Sequence, residues 1–286
     1  MRKHDNSTRI SETELPSGCR SLGRWFSSIR LCAGAFGARR THRRHRLRQA
    51  SRTYRERSPR ISRRRIRRRY FRQKPFHAAA KPAPWLGVRD VLEWGHIAQQ
   101  PLPASNYDYL RAVLGALQLS TKSEDCLTLN VWTPGLKDGA RRAVLFSVHG
   151  GGYTGGTSNQ LVFDGANLAR MHDLVVVTVN HRLGALGFMN LAEFDPDFAP
   201  SGVVGLMDLV AALEWVRENI ANFGGDPNRV LIIGQSGGGS KMCHLMVMPS
   251  AKGLFQRTGV ESGAALRSGT RENAAKSASA SSLKLA

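Results

Sequence analysis

The order of apolar runs in this sequence predicts an α/β fold with a mostly parallel central sheet and helices on both faces. Three observations carry that prediction. Strand-like runs alternate with segments of helical period between residues 127 and 248, one run is apolar along its whole length, and two runs end in glycine-rich turns. Taken in order, Leu127–Trp132 alternates, is rich in strand formers, and is closed by Thr133, Pro134 and Gly135. Ala143–Val148 is the next strand and runs directly into His149-Gly150-Gly151-Gly152. Gly165–Met171 has the length and composition of a crossover helix. Leu174–Val179 is continuously apolar, as a central strand covered on both faces must be. From Gly205 to Phe223, residues Leu206, Leu209, Val210, Leu213, Val216 and Ile220 recur at helical spacing. Gly224-Gly225-Asp226-Pro227 then stops that helix. Val230–Gly234 is the last predicted strand, and it meets Gln235-Ser236-Gly237-Gly238-Gly239 before a helix-compatible stretch, Ser240–Met248.

The two glycine-rich turns carry the chemistry. Gly-x-Ser-x-Gly between a strand and a helix is the context of a nucleophile elbow, in which the serine occupies a strained turn and a Cβ on either flanking glycine would crowd it. Alone, that motif is weak. The upstream His-Gly-Gly-Gly, also at the end of a strand, is the type of loop that supplies backbone oxyanion donors, and an incidental serine in a glycine turn would leave it unexplained. His149 is read as a residue that shapes the glycine turn rather than as a base. His172 and His181 are expected in satisfied structural roles, and Cys243 in the core. His42 and His45 have only arginines between them and no acidic or thiol partner, so no metal is expected, and no cofactor motif is present.

The formal net charge of +21 points to nucleic acid until it is divided along the chain. Residues 1–77 hold 24 Lys and Arg against 4 Asp and Glu, whereas residues 78–286 hold 18 against 17. Any nucleic-acid reading is therefore confined to an arginine-rich leader, and a nucleic-acid partner is not expected for the rest. Charged residues throughout Met1–Leu31 leave no apolar core for a signal peptide, so a cytoplasmic location is favoured. Asp208 and Glu214 interrupt the longest apolar run, Val203–Val216, so no membrane span is expected. The cysteines, Cys19, Cys32, Cys126 and Cys243, are too few and too scattered for a disulfide framework or a zinc spacing.

With these motifs in place, the sequence resembles the type-B carboxylesterases, the cholinesterase-like branch of the α/β-hydrolases, and most closely their bacterial para-nitrobenzyl esterase type. The resemblance rests on Lys81-Pro-Ala-Pro-Trp85, Ser123-Glu-Asp-Cys-Leu127, His149–Gly152, Asn180-His-Arg-Leu-Gly184, Gly205-Leu-Met-Asp208, Asn222–Arg229, the elbow, and Met248–Phe255. It covers about residues 78–286. It implies an α/β-hydrolase fold and a serine carboxylic-ester hydrolase acting on a small-molecule ester. It further implies Ser236 as nucleophile, backbone oxyanion donors at Gly151, Gly152 and Gly237, and a structural ion pair between Arg182 and Asp208. Cys126 matches a half-cystine of secreted relatives whose partner position holds Ala98, so the bridge is expected to be absent. Gln235 stands where cholinesterases carry a glutamate, which argues against a choline-ester preference.

The departures from the family pattern shape the remaining expectations. In this fold the triad order is Ser, acid, His, yet the 50 residues after Ser236 contain a single histidine, His244. Eight residues along a helix place it about 12 Å from Ser236 at about 1.5 Å per residue, beyond hydrogen-bond reach. The chain is therefore expected to hold the N-terminal part of a hydrolase domain over residues 78–286, with the C-terminal portion missing, and to be weakly active or inactive as it stands. Two other classes compete with this reading. A non-catalytic cholinesterase-like interaction module would have no need of Ser236 and its glycines, and a basic nucleic-acid-binding leader on a degenerate hydrolase would act through residues 1–77 alone. Arg69–Pro75 can also be back-translated one nucleotide later as the family-like Asp-Thr-Ser-Gly-Lys-Asn-Arg, so residues 1–77 are expected to be either disordered or frame-shifted. The oligomeric state is left open.

Overall fold

The computed structural model describes residues 68–69, 74–82, 91, 93–101 and 121–282. Expectations for the leader up to residue 67, including His42, His45, Cys19 and Cys32, lie outside the described residues.

Among the described residues the strands are β1 (Arg68–Arg69), β2 (Thr128–Trp132), β3 (Arg142–Val148), β4 (Val175–Val179), β5 (Gly225–Gln235) and β6 (Arg257–Glu261). They form one sheet in the order β1-β2-β4-β3-β5-β6. Pairing is parallel from β4 through β3 and β5 to β6, and antiparallel where β2 joins β4 and β1 joins β2. The parallel half carries both glycine-rich turns at its strand ends. The sheet reaches back to Arg68, so its edge does not coincide with the expected boundary at residue 78.

The α-helices among the described residues are α1 (Ala166–His172), α2 (Gly184–Phe188), α3 (Val204–Asn219), α4 (Gly237–Val247) and α5 (Arg271–Ser282). Side-chain alternation on β4 explains why both faces are covered. Val175, Val177 and Val179 pack into the main core with Val144, Phe146 and Val148 of β3 and with Leu209, Leu213 and Val216 of α3. Val176 points the other way, into a second cluster with Trp132 and with Ala169 of α1. All five residues of β4 are buried, which is why that run shows no polar alternation.

Helix α3 continues into a 3-10 turn, Ile220–Phe223, and the chain reverses at Gly224, whose φ of 72° is left-handed and suits glycine. With the 3-10 turns ahead of it, this stretch runs from Pro196 to Phe223, 28 residues, long and apolar enough by length and composition to cross a membrane. Helical pieces that sequence reading treats separately run together here, and a buried core helix meets the same length and composition test. In its most apolar 18-residue window 67% of the residues are buried, as a core helix of the fold requires.

Asp208, fully buried on α3, receives Arg182 through two side-chain bonds, Nε at 2.8 Å and Nη2 at 2.6 Å, and through the Arg182 backbone N–H at 3.0 Å. Burial lifts the Asp208 carboxyl above the usual carboxylate range, against the opposing pull of that guanidinium. Arg182 Nη1 also donates to the carbonyls of Lys74 and His77, tying the segment ahead of residue 78 to the sheet. Cys126 is buried in the same core as Ala98. Cys243 is half-buried rather than core, because it lies off the buried face of α4.

Candidate active site

Strand β5 delivers Ser236 into a backbone conformation of φ 55° and ψ −123°, and α4 begins at the next residue. A non-glycine residue there costs on the order of 1–3 kcal/mol and persists only if its surroundings fix it. They do so from three sides. The Ser236 N–H donates to the Glu261 carbonyl of β6 at 2.8 Å, and the Ser236 carbonyl accepts from Ser240 N–H at 3.0 Å. A Cβ on Gly234 would strike the backbone of Gly238, and one on Gly238 would strike the carbonyl of Val148. The two glycines of Gly-x-Ser-x-Gly are thus required by backbone-on-backbone contact at the crossing of β5, β3 and α4.

The second loop leaves β3 alongside this turn. Gly151 and Gly152 have φ of 93° and 61°, and a Cβ on Gly151 would meet the carbonyl of Gly155. Gly237 sits directly against Gly152: a Cβ there would lie 2.5 Å from the Gly152 nitrogen and would overlap its carbonyl oxygen. The structure therefore brings Ser236, Gly237 and Gly152 together, with Gly151 next along the loop. The far end of the loop is pinned by Gln100, whose side chain accepts from Gly156 N–H at 2.8 Å and donates to the Gly156 carbonyl at 3.0 Å. Arg182 and Asp208 form their own pair below the loop after β4.

His149 is buried at the root of the glycine loop and donates from Nδ1 to the Gly150 carbonyl at 2.8 Å. Its ring stacks on His181, centroids 4.9 Å apart and planes 2° from parallel. His181 donates from Nδ1 to the Arg182 carbonyl at 2.8 Å, but its Nε2 is buried with no partner among the described residues. The expectation of a fully satisfied His181 is corrected on that point. Burial, followed by the charge of Lys241, pushes His149 down to about 3 and His181 well below the ordinary histidine range, so both are neutral.

Lys241 itself is a residue that reading the sequence missed. It is 0% exposed, donates from Nζ to the Gly152 carbonyl at 2.6 Å, and sits 4.9 Å from the Tyr153 ring centroid. Burial pushes its ammonium down to about 8. The signal was available, because Gly237, Gly238, Lys241, Met242 and Leu245 recur at helical spacing and form the buried face of α4. A lysine in that row is buried by the helix geometry itself.

His244 donates from Nδ1 to the Ser240 carbonyl (2.7 Å), and its Nε2 is bonded to Ser268 Oγ (2.8 Å). None of the described histidines hydrogen-bonds Ser236. The described residues also contain no cluster of His, Cys, Asp or Glu able to hold a metal ion.

The sequence profile described as the Carboxylesterase family matches residues 72–285. The chain belongs to the carboxylesterase family. It is 40% identical over 205 residues to the para-nitrobenzyl esterase of Bacillus subtilis (strain 168), covering 72% of this chain and 40% of that one. To human carboxylesterase 3 it is 44% identical over 190 residues, covering 66% of this chain and 32% of the relative. Among solved structures, a thermophilic PNB esterase superposes with a TM-score of 0.66 at 39% identity, over 75% of this chain and 42% of that chain. An esterase from Clostridium hathewayi, described as able to hydrolyse aliphatic aromatic polyesters, superposes with a TM-score of 0.63 at 41% identity, over 69% and 39% of the two chains. This carboxylesterase-family chain therefore spans about two fifths or less of the length of these relatives. Its structural neighbours place it in the α/β-hydrolase fold, as the sequence predicts.

Proposed function

We propose that Ser236 is the nucleophile of a serine carboxylic-ester hydrolase acting on small-molecule esters, with the N–H groups of Gly151, Gly152 and Gly237 receiving the oxyanion. The observation that carries this reading is the strained Ser236 backbone held directly beside the Gly152–Gly237 contact. Two separate loops converge there, so backbone donors and a hydroxyl can address one carbonyl group. Ser236 Oγ attacks the ester carbon, the carbonyl oxygen becomes an oxyanion held by those N–H groups, and collapse expels the alcohol to leave an acyl-serine that water hydrolyses. The positive end of α4, which starts at Gly237, favours the same developing negative charge. The serine proton must pass to a base, and among the described residues no histidine is bonded to Ser236. Turnover of para-nitrophenyl acetate by the 286-residue chain is therefore expected to be barely above background.

The test is covalent. Prolonged incubation of the full chain with a fluorophosphonate, followed by peptide mass spectrometry, is expected to place the adduct on Ser236 and to find none in Ser236→Ala. An adduct on another residue, or one unaffected by that substitution, would overturn the assignment. Gly237→Ala provides a second check, because the added methyl would displace Gly152 and with it a donor. Its labelling rate is expected to fall by about 10²-fold, the scale of losing one oxyanion donor, with the far-ultraviolet circular dichroism unchanged.

A further inference from the structure

We infer that Lys241 is a positioning residue for the glycine loop, its ammonium gripping the Gly152 carbonyl so that the loop stays seated on the elbow. This inference rests on the ester-hydrolase reading for its catalytic consequence, but its structural content stands apart from it. Gly152 has left-handed φ and a Cβ placed there would meet nothing within 4 Å, so side-chain packing does not fix this residue. The two contacts that do are the backbone of Gly237 on one side and the Lys241 Nζ bond at 2.6 Å on the other. Both come from α4, so the helix that begins at the serine also holds the loop that faces it.

The surroundings of Lys241 leave its charge unshared. From the ends of β3 and β4 it faces His149 and His181, both held neutral, and from the glycine loop it faces the Tyr153 ring at 4.9 Å. On α3, Asp208 is committed to Arg182, and on β6 Glu261 is exposed, so no carboxylate among the described residues forms an ion pair with Lys241. A charged donor to a carbonyl makes a stronger bond than a neutral amine does. Because burial lowers the Lys241 ammonium to about 8, the grip on Gly152 is strong at neutral pH and weakens as the pH rises through that value.

Hydrogen–deuterium exchange of the 149–156 segment in the full chain, corrected for intrinsic rates, reads this directly at pH 6.5 and pH 9. At pH 6.5, Lys241→Met is expected to lose protection in that segment by about ten- to hundredfold, while β3 and β4 remain protected. The wild-type chain is expected to lose part of the same protection between the two pH values. Lys241→Arg, whose guanidinium stays charged, is expected to keep it at both. Equal protection in wild type and Lys241→Met at pH 6.5 would overturn the inference. Should Lys241→Met not fold, wild type against Lys241→Arg at pH 9 decides, and equal loss in both would overturn it. Fluorophosphonate labelling of Ser236 in parallel is expected to slow in step with the loss of protection. Unchanged labelling on a loosened loop would overturn the catalytic consequence, whereas no Ser236 adduct in any chain would overturn the ester-hydrolase reading alone, because exchange is read without it.

Discussion

Arg182→Met is expected to lower the unfolding free energy by about 3–5 kcal/mol, the cost of leaving one member of a buried ion pair without the other. Total stabilities of domains are about 5–15 kcal/mol, so a loss of that size leaves much of the chain unfolded at moderate urea. The reason lies in how few alternatives Asp208 has. It is 0% exposed, Arg182 is 3% exposed, and Arg182 supplies each hydrogen bond that the carboxylate accepts among the described residues. The same substitution releases the carbonyls of Lys74 and His77. Replacing both partners, Arg182→Met with Asp208→Leu, is expected to recover most of the ion-pair loss, because no unpaired charge is then buried. Urea titrations of the single and double variants read the difference, and a single variant within about 1 kcal/mol of the parent would contradict the account.

Acidification is the second large effect. The folded chain keeps His149 and His181 neutral, through burial first and the Lys241 charge second, whereas the unfolded chain protonates both near pH 6.5. With folded values depressed, the unfolded state binds more protons below pH 6.5, so stability falls as the pH falls through that value. At pH 5 His149, held down to about 3, contributes a loss of about 2 kcal/mol at about 1.4 kcal/mol per pH unit, and His181 adds a loss of the same sign. That window lies above the range in which ordinary carboxylates titrate. Comparing urea midpoints at pH 7.5 and pH 5 is the measurement, and His149→Gln is expected to remove its share, about 2 kcal/mol, of the dependence. A midpoint that holds constant across the window would mean that at least one ring accepts a proton in the folded state.

Much of the fold was legible because burial leaves a period in the sequence. The apolar run at Leu174–Val179 became a strand covered on both faces, and Leu206, Leu209, Leu213 and Val216 became the core stripe of α3. The elbow and the glycine loop were legible for a different reason, since backbone contact at Gly234, Gly238 and Gly151 admits no side chain and so fixes residue identity. What was not legible lacked such a constraint. Strand β6 is half-exposed along an edge and carries only Thr258 and Val260 as strand formers, too weak a pattern to stand out. The direction of β2 was hidden as well, because antiparallel and parallel neighbours present the same alternation. Helix α4 starts at Gly237, earlier than the predicted Ser240, since three successive glycines are poor helix formers and only the turn at Ser236 makes them helical. Lys241 was overlooked because a lysine is ordinarily read as surface, and only the placement of Gly237 and Gly238 reveals its side of the helix.

Under the proposed assignment of Ser236 as nucleophile, its backbone limits which nucleophiles the turn can present. At φ 55° a β-branched side chain is a steric outlier, so threonine, the other aliphatic hydroxyl, is disfavoured there by its methyl group. Packing holds that backbone in place, since Gly263 lies so close that a methyl on it would overlap the Ser236 carbonyl. A primary alcohol or a thiol on a single methylene is what the corner accommodates. Any descendant of this chain that kept the turn would therefore have two nucleophilic atoms to choose between, oxygen and sulfur, and the choice would change the leaving groups it could handle without moving the backbone.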